Sequence, residues 1–424
     1  MFRRFPWITF GPPEPSTEPA VREAREVARK LGDVWEDDGG LIQRFFPVTK
    51  HVRQVFKDMQ NDLTKPYHGD HWVGVKRNPA KLSQLYTPLN NLINKIIRAF
   101  SLENDGGGNR RLCINTSRSK VYPKPFPLLW PALLLAGSGK HLINSGAHRP
   151  LPDYTLAISP IEIYPEGEDE DDKERKEMGH SQSRLATYMR DLFECQLNRR
   201  FAFGLILSQK SVTVYLFDRS GILRSKPLDY HKSPEQFCAI IAGLASLDPD
   251  AIGLDSSWRV DEHGGYIRMV ESIGRNRTKN VEYKLERLLH VSSFPVGRAT
   301  TCLSVLDPVD ENIKYAMKDS WVDVSIEGKE SEASLLEHAR TCGVTEGLPV
   351  FKHFEEVRVR NGSRGSRLDR VLLNRNLAFA STSNDRIHTR ALMTPVGKPL
   401  LEFTSRQEFL IAYRDAFKGL HSLL

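Results

Sequence analysis

The sequence predicts an α+β protein of more than one domain, and three observations carry that expectation. At 424 residues the chain is long enough for two or three domains of roughly 150 residues, each with its own core. Over Leu82 to Phe100, the residues Leu82, Leu85, Leu89, Leu92, Ile93, Ile96, Ile97 and Phe100 recur at the helical period. Two β-rich runs, Phe201 to Leu207 and Ser211 to Phe217, are separated by Ser208-Gln209-Lys210, the spacing of a hairpin.

Residues 1–110 read as a helical N-terminal region, closed by the glycine-rich break Asn104 to Asn109. Residues 111–290 read as an α/β domain of uncertain fold, with a proline-rich loop or boundary at Pro123 to Pro131. Within it, Glu166 to Glu177 (EGEDEDDKERKE) has no apolar residue to bury and predicts a solvated acidic loop or linker. Ser233-Pro234-Glu235-Gln236 offers a capping hydroxyl, a proline at the first helical position and a capping-box glutamine, which predicts a helix to about Leu247. A further domain, 291–424, opens with strands over Val291 to Leu306 and Ile313 to Lys318, joined by the turn Asp307 to Asp310. At its end Ser405-Arg-Gln-Glu408 is another capping box, and Phe409, Leu410, Tyr413, Phe417, Leu420 and Leu424 mark a helix.

Composition narrows the function classes. With 40% hydrophobic and 27% charged residues, neither wholesale disorder nor a fibrous repeat fits. Five dispersed cysteines, Cys113, Cys195, Cys238, Cys302 and Cys342, contain no C-x-x-C pair and suggest neither a disulfide framework nor a zinc knuckle. Met1 to Phe10 is no secretory signal, and the apolar run Phe126 to Ala136 is about half the roughly 20 residues of a membrane span. The expectation is a soluble intracellular protein, cytoplasmic or nuclear. Its net charge of +7 is compatible with anionic partners without identifying one.

Chemistry concentrates between Gly297 and Ala339. Gly297-Arg298-Ala299-Thr300-Thr301-Cys302 is followed by Ala316-Met317-Lys318-Asp319-Ser320-Trp321 and then by a helix over Lys329 to Arg340, ended by Gly343. On that helix Glu332 shares a face with Leu335, Leu336 and Ala339. A carboxylate on an apolar face calls for a cation, and Lys318 is the candidate. Such a pair positions ATP phosphates in kinases. An exposed lysine and a glutamate at the helix edge fit the same pattern equally well.

The order Gly-Arg-Ala-Thr, Met-Lys-Asp-Ser-Trp, Glu332, Arg386-Ile-His-Thr-Arg390, Met393-Thr-Pro-Val-Gly397-Lys-Pro-Leu400 and Phe403-Thr-Ser-Arg-Gln-Glu-Phe-Leu resembles the fungal-type protein kinase family. The similarity extends to Arg199 through Asp248 and more loosely to Pro66-Tyr-His-Gly-Asp-His-Trp72. The resemblance implies a kinase-like N-lobe, an antiparallel sheet plus one helix, followed by the first helices of a truncated C-lobe. It also implies ATP and Mg²⁺. Gly297, Arg298, Ala299 and Thr300 would cover the phosphates, Lys318 would pair the α- and β-phosphates and be held by Glu332, and Glu337 lies off that face. Met393 and Val396 would belong to a hinge, Leu392 to Gly397, that meets the adenine edge. Ala299 and Cys302 stand where the general kinase loop has its second and third glycines. Arg358 to Arg375 would be a solvated loop; no aromatic residues interleave with its arginines, which argues against nucleic-acid binding.

In the family, the segment after His-Ser-Leu-Leu brings the catalytic-loop Asp and Asn and then Asp-Phe-Gly. Neither a His-Arg-Asp nor an Asp-Phe-Gly triplet occurs in the 424 residues. No catalytic or metal-binding residue is therefore assigned, and the chain as written is expected not to transfer phosphate. It then reads either as part of a Ser/Thr kinase or as a non-catalytic regulatory module that binds a protein partner. The latter would need to cover the face that packs on a C-terminal lobe, and Leu335, Leu336, Phe409, Tyr413 and Phe417 are candidates for an exposed apolar patch if nothing covers them.

Rival motifs are weaker. Pro152-Asp153 and Glu162-Ile-Tyr164 imitate a metal-dependent nuclease, with Tyr164 where the lysine should be. Leu135-Ala-Gly137-Ser-Gly139-Lys140-His141 imitates a P-loop but fails its spacing. His68 and His71 lack a second ligand pair, so a turn followed by a packed Trp72 is expected there. No G-x-S-x-G nucleophile signature occurs.

Overall fold

The computed structural model describes residues 3–5, 26–31, 34–37, 40–62, 65–104, 106, 108–116, 131–142, 154–164, 166, 172–272, 278–292, 294–324, 331–345, 347–360, 365–371, 375, 385–398 and 402–423. Helix and strand are mixed throughout, and the chain divides into two units. The first comprises Met1–Ser256 with Phe294–Val296, the second Ser257–Ser293 with Gly297–Leu424.

The first unit is organised on a nine-stranded sheet in the order β1 (Arg3–Phe5), β2 (Val34–Asp37), β10 (Gly221–Ser225), β9 (Ser211–Asp218), β8 (Ala202–Leu207), β7 (Ala157–Ile163), β6 (Leu133–Ser138) and β5 (Arg110–Asn115), with β11 (Leu228–Asp229) added to β9. Its helices are α1 (26–31), α2 (Gly40–Phe45), α3 (Lys50–Asn61), α4 (Ser83–Ala99), α5 (Asp172–Cys195) and α6 (Pro234–Leu244), and a small hairpin joins β3 (Tyr67–His68) to β4 (His71–Trp72). Every residue of β7, β8 and β9 is buried, as strands covered on both faces require. The hairpin over Ser208 to Lys210 and the helix over the 82–100 stripe form as expected. Leu85, Leu89, Ile93 and Ile96 have no exposed surface.

Two local readings change. Parallel β7 and β8 need a crossover, and α5 supplies it. The second half of the acidic run, Asp172 to Glu177, therefore begins a helix instead of forming a loop. Its Lys, Glu and Arg are good helix formers, and acids suit a helix N-terminus. At α6, Pro234 holds the first helical position, but Ser233 makes no capping side-chain bond. The Gln236 amide instead donates to the Phe46 carbonyl at 2.7 Å, a tertiary bond that displaces the capping box.

The second unit is an antiparallel seven-stranded sheet in the order β12 (Trp258–Asp261), β13 (Gly264–Ser272), β14 (Thr278–Val291), β15 (Thr301–Leu306), β16 (Lys314–Asp323), β20 (Arg386–Thr394) and β17 (Val350–Glu356). A ribbon of β18 (Arg358–Arg360) and β19 (Ser366–Leu368) and the helices α7 (Glu332–Thr341) and α8 (Arg406–Leu423) complete it. The unit starts at Ser257, ahead of residue 291, because β12, β13 and β14 pair into this sheet. The strand expected over Val291 to Leu306 is interrupted: β14 ends at Val291, β15 starts at Thr301, and 292–300 connects them. The turn after β15 forms as an Asx turn, Asp307 Oδ1 accepting from the Val309 and Asp310 amides at 2.8 and 3.1 Å. Although β13 and β17 are far apart in the order, Glu355 Oε2 accepts from the Val270 amide at 2.7 Å, and His353 Nε2 lies 3.1 Å from the Val270 carbonyl. The sheet thus curls until these two strands meet.

Part of the arginine-rich segment read as a solvated loop is the β18–β19 ribbon, and Asp369 and Arg375 beyond it are buried. On α8, Leu410, Ile411, Tyr413 and Phe417 stand outward, while Phe409 is half-buried. No helix among the described residues is long and apolar enough to cross a membrane.

Candidate nucleotide site

In an antiparallel ladder, directly opposed residues share a face. The register sets Cys302 and Ala391 on either side of Lys318, and Ser304 and Met393 on either side of Ala316. These six residues therefore line one face of the sheet, with Lys318 in the middle of β16.

Helix α7 brings its carboxylate to that face. Ser331 caps it, Oγ accepting from the Ser334 amide at 3.0 Å, so that Glu332 is the first helical residue. Glu332 Oε2 lies 2.5 Å from Lys318 Nζ. Glu337 is exposed, and Lys318 pairs with Glu332. The helix rests on Ala333 and Ala339, whereas Leu335 is 55% exposed and Leu336 half-buried, so the buried face differs from the predicted one. Small alanines let the helix lie close and leave Glu332 at its margin, its side chain 42% exposed against 20% for Lys318. At that exposure an ion pair adds only about 0–1 kcal/mol of stability. Its consequence is positional: it fixes where the ammonium points.

Gly297, Arg298, Ala299 and Thr300 lie in the connection between β14 and β15, closed by the Ser292 amide donating to the Thr300 carbonyl at 3.0 Å. The Arg298 carbonyl accepts from the Trp321 amide at 2.8 Å, which anchors the connection to β16. Gly297 has φ +96° and Ala299 φ +41°. Ala299 thus holds a left-handed backbone, which costs an L-residue about 1–2 kcal/mol. Met393 lies in β20 opposite both Ala316 and Phe351, while Val396 follows the strand and is half-buried. β20 is flanked on both sides as far as Met393 and by β17 alone at Thr394, and Pro395, which follows in the expected hinge, has no N–H.

Behind this face is a cluster that the sequence reading did not single out. His388 Nε2 lies 2.6 Å from Asp319 Oδ1, and its Nδ1 lies 3.0 Å from Asp369 Oδ2. Arg390, with no exposed surface, donates to Asp319 Oδ2 at 2.7 Å, to Ser257 Oγ at 2.8 Å and to Glu355 Oε1 at 3.4 Å. The Trp321 ring stacks on His388 at 4.7 Å. Burial works against a charge on His388, but Asp319 and Asp369 outweigh it and raise the imidazole to about 9. Burial likewise opposes charge on Asp319, yet His388 and Arg390 hold its carboxyl below the usual range. The alternation Arg386-Ile-His388-Thr-Arg390, three cations on one face of a strand, was the available signal.

The rival motifs find other roles. Glu162, at the end of β7, is buried against Arg184 Nε at 3.2 Å and the Tyr188 hydroxyl at 3.1 Å. Burial raises its carboxyl to about 7 against the pull of Arg184. Asp153, its supposed nuclease partner, lies outside the described residues, and among those described no cluster fit to hold a metal includes Glu162. The P-loop imitation begins on β6, and its Gly139-Lys140-His141 lie past the end of the strand. His68 and His71 face each other across the β3–β4 hairpin, and Trp72 is fully buried after the turn.

The chain belongs to the fungal protein kinase family, whose model, described as "Fungal protein kinase", matches residues 156–424. That match covers the first unit from the start of β7 and the second unit as a whole. No curated protein and no solved structure matches the chain.

Proposed function

We propose that the second unit binds ATP on the face of β15, β16 and β20 that carries Lys318 and orients its phosphates there. The observation that carries this reading is the 2.5 Å pair of Lys318 and Glu332. Lys318 would meet the α- and β-phosphates, with Glu332 fixing its direction. Gly297 to Thr300 would lie over the phosphates and Met393 and Val396 beside the base. Magnesium, when bound with the nucleotide, supplies charge neutralisation at the phosphates. The reading assigns neither its carboxylate ligands nor a base for an acceptor hydroxyl to a residue of 1–424. Titration of a fluorescent ATP analogue into the full chain and into Lys318→Met tests it: the variant should lose binding, and equal affinity would refute the reading.

A second reading, a regulatory module that binds a protein partner, draws on the outward side chains of α8, among which Leu410 is 63% and Phe417 54% exposed. A chain that stays monomeric as its concentration rises would support it, and concentration-dependent association that Leu410→Glu/Phe417→Glu removes would count against it.

A further inference from the structure

Backbone hydrogen bonds between β16 and β20 are the same in any register, so side chains must select the one observed. On the face opposite Lys318 that selection falls to buried charge. Asp319 stands directly opposite Arg390 and Trp321 directly opposite His388, and Asp319 bonds both cations with its two oxygens. A slip of two residues one way would set Asp319 against Leu392 and strand a buried carboxylate, and a slip the other way would set Arg390 against the buried Met317 and strand a buried cation. Both ring nitrogens of His388 meet carboxylate oxygens, which only accept, whereas a neutral imidazole donates from a single nitrogen. His388 is therefore held as an imidazolium between Asp319 and Asp369. Asp369 is itself tied in by backbone, its amide donating to the Val357 carbonyl at 2.8 Å and its carbonyl accepting from the His388 amide at 3.0 Å.

We infer that His388 is a positioning residue for the nucleotide site: clamped between Asp319 and Asp369, it locks β16 against β20 in the register that aims Lys318 at Glu332. The inference rests on the nucleotide reading and deepens it. His388 touches no ligand, since it lies on the other face of the sheet. Its effect on the ligand passes through the adjacent pair Lys318–Asp319, whose side chains leave one strand in opposite directions.

A double-mutant cycle on the full chain tests this, read by the affinity of a fluorescent ATP analogue with magnesium, with circular dichroism and thermal unfolding establishing that each variant is folded. His388→Gln should weaken binding by about tenfold, within the range over which residues away from a ligand modulate it. In a Glu332→Gln background, where binding is weakened but still measurable, the same change should have no further effect, because the partner at which Lys318 is aimed is gone. A merely structural histidine would lower the affinity of the remaining contacts equally in both backgrounds, and that additive outcome overturns the inference. Full affinity in a folded His388→Gln chain overturns it too, while leaving the nucleotide reading intact. No binding by the unaltered chain, or no loss in Lys318→Met, refutes the nucleotide reading and the inference with it. If His388→Gln does not fold, Asp369→Asn, which keeps the histidine and neutralises one acceptor, decides: a smaller but equally non-additive loss supports the clamp, and an additive or absent one overturns it.

Discussion

Lys318 and Asp319 are neighbours on β16 that serve opposite faces of one sheet: Lys318 reaches Glu332 on α7, and Asp319 holds His388 and Arg390. The consequence is a division of labour within two residues. The half-exposed pair adds little stability and directs a charge, whereas the buried cluster orders the strands.

Lys318→Met should therefore abolish nucleotide binding while shifting the unfolding free energy by no more than about 1 kcal/mol, as for exposed ion pairs. Glu332→Gln, which leaves the lysine present but undirected, should weaken binding without abolishing it. Calorimetric titration beside urea unfolding separates the two effects; a large stability loss in Lys318→Met would show the lysine to be structural.

The His388 cluster predicts a pH dependence with a definite sign. Its imidazole titrates near 6.5 when unfolded and is raised to about 9 in the fold. The stabilisation is complete below the unfolded value and disappears as pH rises through about 9. A shift of that size corresponds to an upper bound on the order of 3 kcal/mol. Asp319, held low, has the opposite sense and loses its contribution as the solution becomes acid. Hydrogen exchange of β16 and β20 amides should accelerate between pH 7 and about 9.5 beyond the intrinsic rate, and His388→Gln should remove that excess.

Glu162 predicts a second slope, in the other unit. Burial raises its carboxyl from 4.5 to about 7, so its contribution is complete below the unfolded value and is lost as pH rises through about 7. Glu162→Gln keeps an acceptor for Tyr188 and removes the charge. The variant should match or exceed the parent in urea midpoint at pH 8 and lose that advantage at pH 5. A variant less stable at pH 8 would show that the ion pair with Arg184 outweighs burial.

Arg199 predicts a large loss with no functional contact. Its guanidinium is buried, with Gln196 Oε1 at 2.6 Å, the Ala157 carbonyl at 3.0 Å and the Ile252 carbonyl as acceptors. Burial lowers it to about 9, with Arg111 adding to the effect. Arg199→Ala takes the guanidinium from three buried acceptors, of which the Ala157 carbonyl keeps Gln196 Nε2 at 2.7 Å, and should cost about 3–5 kcal/mol, seen as loss of soluble protein or a much lower melting temperature. Arg199→Lys should recover only part, because an ammonium cannot span the same three oxygens.

Legibility differed by the range of the interaction. The 82–100 helix, the hairpin at Ser208 to Lys210 and the turn at Asp307 could be read directly, because each is a local period or a local hydrogen bond. The candidate pair was half legible: a carboxylate at the start of a helix and a lysine in a β-rich run suggested partners, but an unpaired edge glutamate fitted equally well until α7 was seen resting on Ala333 and Ala339. Ser233 and Gln236 carried a correct signal for where a helix begins, yet the Phe46 carbonyl took the glutamine.

By itself the sequence determined the kind of element that carries Lys318, Glu332 and residues 297–300: a strand, a helix and a connection. Tertiary structure alone decided that β12 to β14 join the second unit, that Asp172 to Glu177 begins a crossover helix, and that Asp319, Asp369, His388 and Arg390 converge. The physical reason is that local pattern encodes period and capping, while strand order and the pairing of buried charges depend on which distant segments meet, and β pairing leaves little trace of its partner in either strand.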